Sequence, residues 1–176
     1  MTITNNNTNL NQLNTNHNPE TNTTNLAPYF TFTNIQQVLD VANLQQLVAQ
    51  LYANADAGNA QALLYTDDAQ TVFDFGDRVV TANGKEEIVA GLKNFTNQQT
   101  KFHLAGQFRV LDLTETTAKA MHYAQVTFVH KTEEGLLDQH LSAVLEDDYR
   151  KVNGVWLASR RAVKFVIQRQ AAQPAA

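Results

Sequence analysis

From Lys101 to Ile167 the apolar residues recur with a period of two, and this stretch limits the fold more than any other. It divides into four long strand-like runs, His103–Leu113, Ala118–Lys131, Leu136–Lys151 and Val155–Ile167. The breaks between them are short: Thr114 to Thr117, Thr132 to Gly135, and Asn153-Gly154. Asn-Gly between alternating runs is a hairpin signal, because both residues tolerate the positive φ that a tight two-residue turn demands. Four consecutive strands joined by hairpins form an antiparallel meander, and strands of this length twist and curl.

Upstream the period is that of helices. Leu44, Leu47, Val48, Leu51, Tyr52 and Ala55 follow the i, i+3, i+4, i+7 spacing of one helix face, over a helix that Asp40 is expected to cap and Ala57-Gly58-Asn59 to end. Ile35, Val38 and Leu39 suggest a separate lead-in helix capped by Asn34. A second short helix is expected over Ala60–Tyr65, stopped by Thr66-Asp67-Asp68, and a third over Lys85–Phe95 with Ile88, Val89, Leu92 and Phe95 on its apolar face. Thr71–Phe75 and Arg78–Thr81 read as two short strands about a turn at Gly76-Asp77. Helices first and a long sheet afterwards predict an α+β fold: a curved antiparallel sheet wrapped around N-terminal helices, a cone with one open mouth.

The composition divides the chain. Residues 1–34 are rich in Asn and Thr, with too little apolar surface to offset the entropy of ordering, and are expected to form a disordered tail. The domain is expected over residues 35–168, with a flexible C-terminus over 169–176. The formal net charge is −4, which supplies no basic footprint for nucleic acid or an anionic membrane surface. No apolar run approaches the roughly 20 residues of a membrane span, and the first residues lack the charged and apolar regions of a secretion signal. A cytoplasmic protein is the expectation. The chain has no cysteine, so thiol nucleophiles and thiolate metal sites are excluded.

In order along the chain stand Tyr52-Ala-x-x-Asp56-x-Gly58-Asn59, Thr66-Asp67-Asp68-Ala69, Asn83-Gly84-Lys85-Glu86-Glu87-Ile88, a histidine (His103) opening the first long strand, and Tyr149-Arg-Lys-Val-Asn-Gly-Val-Trp156-Leu-Ala-Ser-Arg-Arg161. Over about residues 35–167 this pattern resembles the SnoaL-like, NTF2-like superfamily, on its scytalone dehydratase and polyketide cyclase side. The resemblance implies the cone-shaped fold and a proton-transferring pair, Asp56 on the helix and His103 after the third helix, with His130 similar to a further histidine of the second long strand. The chain departs from the family at four places. The two tyrosines that hold a catalytic water in scytalone dehydratase fall on Ala55 and Phe75, and a serine and an asparagine fall near Ala143 and Leu145, so that dehydration is not expected in its original form.

An aspartate beside an imidazole holds one tautomer and raises its basicity, which suits general acid–base work near neutral pH. The plainer alternative has Asp56 ending a helix and His103 bonding to backbone. Tyr52, one turn before Asp56, either aims its hydroxyl into the cone or packs its ring there. His122 and His130 share a face of the second long strand with Val126 and Phe128; either faces the cone, or His122 packs within the sheet and His130 meets solvent. His140 shares a polar face with Ser142, Glu146 and Asp148. Asp147-Asp148 reads as solvated surface, and at most one of Arg160 and Arg161 reaches the cone. No HxH or HExxH spacing is present, and neither metal nor cofactor is expected. The reading is a cofactor-independent lyase or isomerase with Asp56, His103, His130 and Tyr52 as catalytic candidates. Phe73, Phe75, His122, Val126 and Phe128 would line the site of a small hydrophobic, cyclic molecule. The alternative is a non-enzymatic ligand-binding or dimerisation module. A homodimer through the sheet is expected under both, since the long strands carry apolar residues on both faces.

Overall fold

The computed structural model describes residues 29–59, 62–93 and 100–174. One helix, α1, runs over Ile35–Ala57. Asn34 caps it, its side chain accepting from the Gln37 amide at 3.0 Å, and Gly58 ends it in the left-handed region at φ 68°. The lead-in and main helices expected from the sequence are therefore continuous. Asp40 is not a cap; it lies within the helix, 4% exposed, accepting from Lys151 Nζ at 2.7 Å and from the Trp156 indole at 2.9 Å. Nothing between Leu39 and Asp40 breaks the helix, and the carboxylate finds its partners on the sheet instead.

The helix expected over Ala60–Tyr65 is reduced to a 3₁₀ turn, Ala62–Leu64; its first two residues lie outside the described ones. Tyr65 already opens β1 (Tyr65–Asp74), and Thr66-Asp67-Asp68 belongs to that strand rather than stopping a helix. Then follow β2 (Val79–Asn83) and α2 (Lys85–Lys93), beyond which the expected place of Phe95 falls outside the described residues. The meander is β3 (Thr100–Leu113), β4 (Thr117–Thr132), β5 (Gly135–Val152) and β6 (Val155–Pro174). Asn153 at φ 50° and Gly154 at φ 82° make the tight turn that their sequence predicts. β6 stays paired with β5 as far as Pro174, where a flexible terminus was expected from residue 169. The N-terminal tail lies outside the described residues up to residue 28.

The sheet order is β2-β1-β6-β5-β4-β3, an open, curved and mainly antiparallel sheet. Its single parallel contact, β1 on β6, places the first strand pair beside the last strand of the chain. Helix α1 lies in the concavity and buries Val41, Leu44, Leu47, Val48, Leu51 and Tyr52 there. The inward row of β4 is Ala118, Ala120, His122, Ala124 and Val126, all buried, as period two requires. The inward row of β5 is Leu141, Ala143, Leu145, Asp147 and Tyr149. In β3 a bulge near Gln107 (φ 53°) reverses which residues point inward: His103 before it, Phe108 and Val110 after it.

Candidate active site

The end of α1 and the first residues of β3 meet at the cone. The left-handed Gly58 stops the helix two residues after Asp56, so Asp56, one turn beyond Tyr52, projects from the last turn toward the strand. Asp56 Oδ1 lies 2.5 Å from His103 Nδ1, and Oδ2 accepts the His103 backbone N–H at 3.2 Å. Both carboxylate oxygens thus orient one residue, and the charge gains from those donors what the negative end of the helix denies it. The Tyr52 ring stacks on the imidazole at 5.3 Å and 21°, and Phe128 meets it edge-on at 5.8 Å. Burial lowers the pKa of His103 below its ordinary 6.5; the hydrogen bond and charge of Asp56 oppose this without overcoming it. The imidazole is therefore neutral at pH 7, with Nδ1–H on Asp56 and Nε2 as its base position, which makes no hydrogen bond among the described residues.

His103 opens onto a cavity of about 460 Å³. Tyr52, Phe73, Phe75, Val126, Phe128 and His130 line it. His130 sits at 3.4 Å from the Gln139 carboxamide oxygen and 6.2 Å from the Phe128 ring. Ala55, Phe75, Ala143 and Leu145 also line it, so no hydroxyl or amide stands at the four positions where the chain departs from the scytalone dehydratase pattern. Asp56 is behind His103 and does not itself line the cavity. His122 corrects the expectation of a ligand contact: it is 1% exposed and sits beneath Tyr52, outside the cavity wall.

Beneath the cavity lies a buried polar network that sequence reasoning missed. Tyr52 donates its hydroxyl to His122 Nε2 at 2.9 Å, and Arg161 Nη2 donates to the same nitrogen at 3.3 Å. Two donors on Nε2 put the ring proton on Nδ1, which faces Asp147 Oδ2 at 3.8 Å. Arg161 Nε is 3.3 Å from Asp147 Oδ1, and Tyr149 donates its hydroxyl to Asp147 Oδ2 at 2.9 Å. Burial, with the nearby Arg161 charge, drives the pKa of His122 down to about 3, so it stays neutral. Burial raises the pKa of Asp147 from its ordinary value against the pull of Arg161, and pushes Tyr52 up to about 12. Asp147, expected on the surface, is 1% exposed because the odd positions of β5 face inward, and β-pairing sets it opposite Arg161. That odd-numbered row was the available signal. Arg161 is the arginine that reaches the cone: its guanidinium lies 5.1 Å over the Tyr52 ring and it lines the cavity floor.

Among the described residues no group of three His, Asp or Glu side chains converges as a metal site, and no helix is long and apolar enough to cross a membrane. No curated protein matches the chain by sequence. Solved structures share the fold. A candidate scytalone dehydratase from Novosphingobium aromaticivorans superposes with TM-score 0.70 at 16% identity, over 81% of this chain and 94% of that one. A type-3 hexachlorocyclohexane dehydrochlorinase from Novosphingobium barchaimii gives 0.66 at 17%, over 81% and 97%. An NTF2-like protein with a cystatin-like fold, also from Novosphingobium aromaticivorans, gives 0.61 at 20%, over 75% and 85%. The profile of the SnoaL-like domain matches residues 36–162, nearly the whole of the cone, and the chain is a member of the SnoaL-like domain family.

Proposed function

We propose that the chain is a cofactor-independent lyase or isomerase that moves a proton on a small hydrophobic, cyclic molecule. The observation that carries this reading is the 2.5 Å contact between Asp56 and His103 at the wall of an apolar cavity. His103 Nε2 takes a proton from a substrate carbon, and the C–H electron pair becomes the new double bond. In an elimination the leaving group departs with its own electron pair; in an isomerisation the proton returns to a different carbon. Asp56 holds Nδ1–H and steadies the imidazolium, a task for which a fixed carboxylate is already placed. Tyr52 is a positioning residue: its proton is given to His122 and its pKa is far above neutrality. The dehydratase and dehydrochlorinase names of the structural neighbours favour elimination as the reaction class.

Ala55 and Phe75, where a water-holding pair would stand, favour a second reading in which the cavity retains a ligand without turning it over. Deuterium uptake and product formation from a panel of cyclic carbon acids in D₂O, followed by NMR, separate the two. Wild type is expected to exchange or eliminate, and His103→Ala and Asp56→Asn to lose about 100-fold or more. Variants that fold normally and keep the wild-type rate would remove the dyad from the chemistry. We also infer a homodimer through the outer sheet face, where Phe102, Leu104 and Tyr123 are exposed; a light-scattering mass of one 19.6 kDa chain contradicts it.

A further inference from the structure

The protein carries a net charge of −4, yet among the described residues lining its cavity there is no carboxylate and there are three cations: Arg78, Lys101 and Arg161. Arg161 is already neutralised by Asp147 on the floor. The other two make no ion pair among the described residues. Arg78 leaves the β1–β2 turn and lays its guanidinium 4.7 Å over the Phe75 ring, which itself stacks on Phe165 at 4.7 Å. The nearby Asp74 carboxylate is turned to the Gly76 amide at 2.8 Å. Lys101, on β3, lies over the C-terminal end of α1, its Nζ 3.6 Å from where a Cβ on Gly58 would sit, and it makes no ion pair among the described residues. The two side chains come from opposite ends of the strand order, which the curl of the sheet brings to one cavity.

We propose that the cavity takes an amphipathic carboxylate: an apolar ring system seated among Phe73, Val126 and Phe128, with its carboxylate left at the rim beside Arg78 and Lys101. This deepens the proton-transfer reading by naming its substrate class, and rests on the same cavity. The rim suits a carboxylate better than the floor does. Burying the anion beside the paired Arg161 would strip its water without a free partner, whereas at the rim it keeps part of its hydration and gains two unpaired cations. A cavity of about 460 Å³ accommodates a molecule of two or three fused rings.

The test is calorimetric binding of 2-naphthoate and 2-naphthamide, which share a ring system and differ in charge. At an ionic strength of about 10 mM, wild type is expected to prefer the carboxylate about fivefold, and the preference is expected to collapse in 1 M salt. In Arg78→Gln/Lys101→Gln the carboxylate weakens to the level of the amide while the amide is unchanged. In Arg78→Glu/Lys101→Glu the preference passes to 2-naphthylmethylammonium, a gain that misfolding cannot imitate. Deuterium exchange reads proton transfer separately from this binding assay, so a failure of proton transfer and a failure of charge selection give different results. Equal or amide-favoured binding in wild type overturns the proposal. So does a preference that survives both double variants, or the absence of binding by either probe.

Discussion

At the scale of single residues, the site turns on burial working against partners. For His103 burial wins, and the sign follows: a base with its pKa below 6.5 is already deprotonated at neutrality. The kcat/KM of the proposed reaction should therefore rise with pH on the acid side and level off before pH 7. NMR titration of the imidazole should show the lowered pKa in wild type and a still lower one in Asp56→Asn, since both raising contributions come from that carboxylate. His122 makes a separate prediction. The unfolded chain protonates it near 6.5, whereas the folded protein resists until about pH 3. Stability is then lost as pH falls from 6.5, by roughly 1.4 kcal/mol per unit. Urea unfolding at pH 7 and pH 5 should differ by about 2 kcal/mol more in wild type than in His122→Gln, which cannot titrate. These two histidines also show what the sequence makes legible. Asp56 and His103 are separable from their neighbours by helical spacing and by a resemblance. His122 is not: its parity is right, but whether an inward position lines a cavity or a core depends on what Tyr52 covers, and that is three-dimensional.

At the scale of elements, the strands were read more accurately than the helices. Alternation over long runs admits one register, because a slip by one residue turns every inward side chain outward. Helix breaks, by contrast, rest on single residues, and Asp40 suggested a cap where the structure uses it as a buried anchor. Burial favours raising its pKa, but hydrogen bonds from Lys151, Trp156 and Gln36 outweigh that and hold it below 3.8. Asp40→Ala would strand the Lys151 and Trp156 donors against the core, and a loss of about 2–3 kcal/mol is expected in chemical denaturation. The cap that the structure does use is Asn34. Its replacement by Ala should cost about 1 kcal/mol, measured the same way, with no change in the dyad. The short helix expected after Asn59 failed for a related reason: Tyr65, 3% exposed, is claimed by the sheet, and tertiary pairing overrides local propensity.

At the scale of the whole molecule, the same curvature that shapes the cone gives it chemically distinct parts: a charged network under the floor and two lining cations, Arg78 and Lys101, that make no ion pair among the described residues. Neither pattern is visible in net charge, which is acidic, because it depends on which strands the curl brings together. The parallel contact between β1 and β6 has a further consequence, in the order of events during synthesis. Until residues Val155–Lys164 have emerged, the β1–β2 hairpin has no sheet to join, and the growing meander ends in an unpaired β5 edge. Contacts this distant in sequence make folding slow, on the order of milliseconds to seconds, rather than the microseconds of a helical bundle. Stalled ribosome–nascent chains ending before Val155 should leave β1–β2 open to proteases, and protection should appear only once the last strand has cleared the exit tunnel.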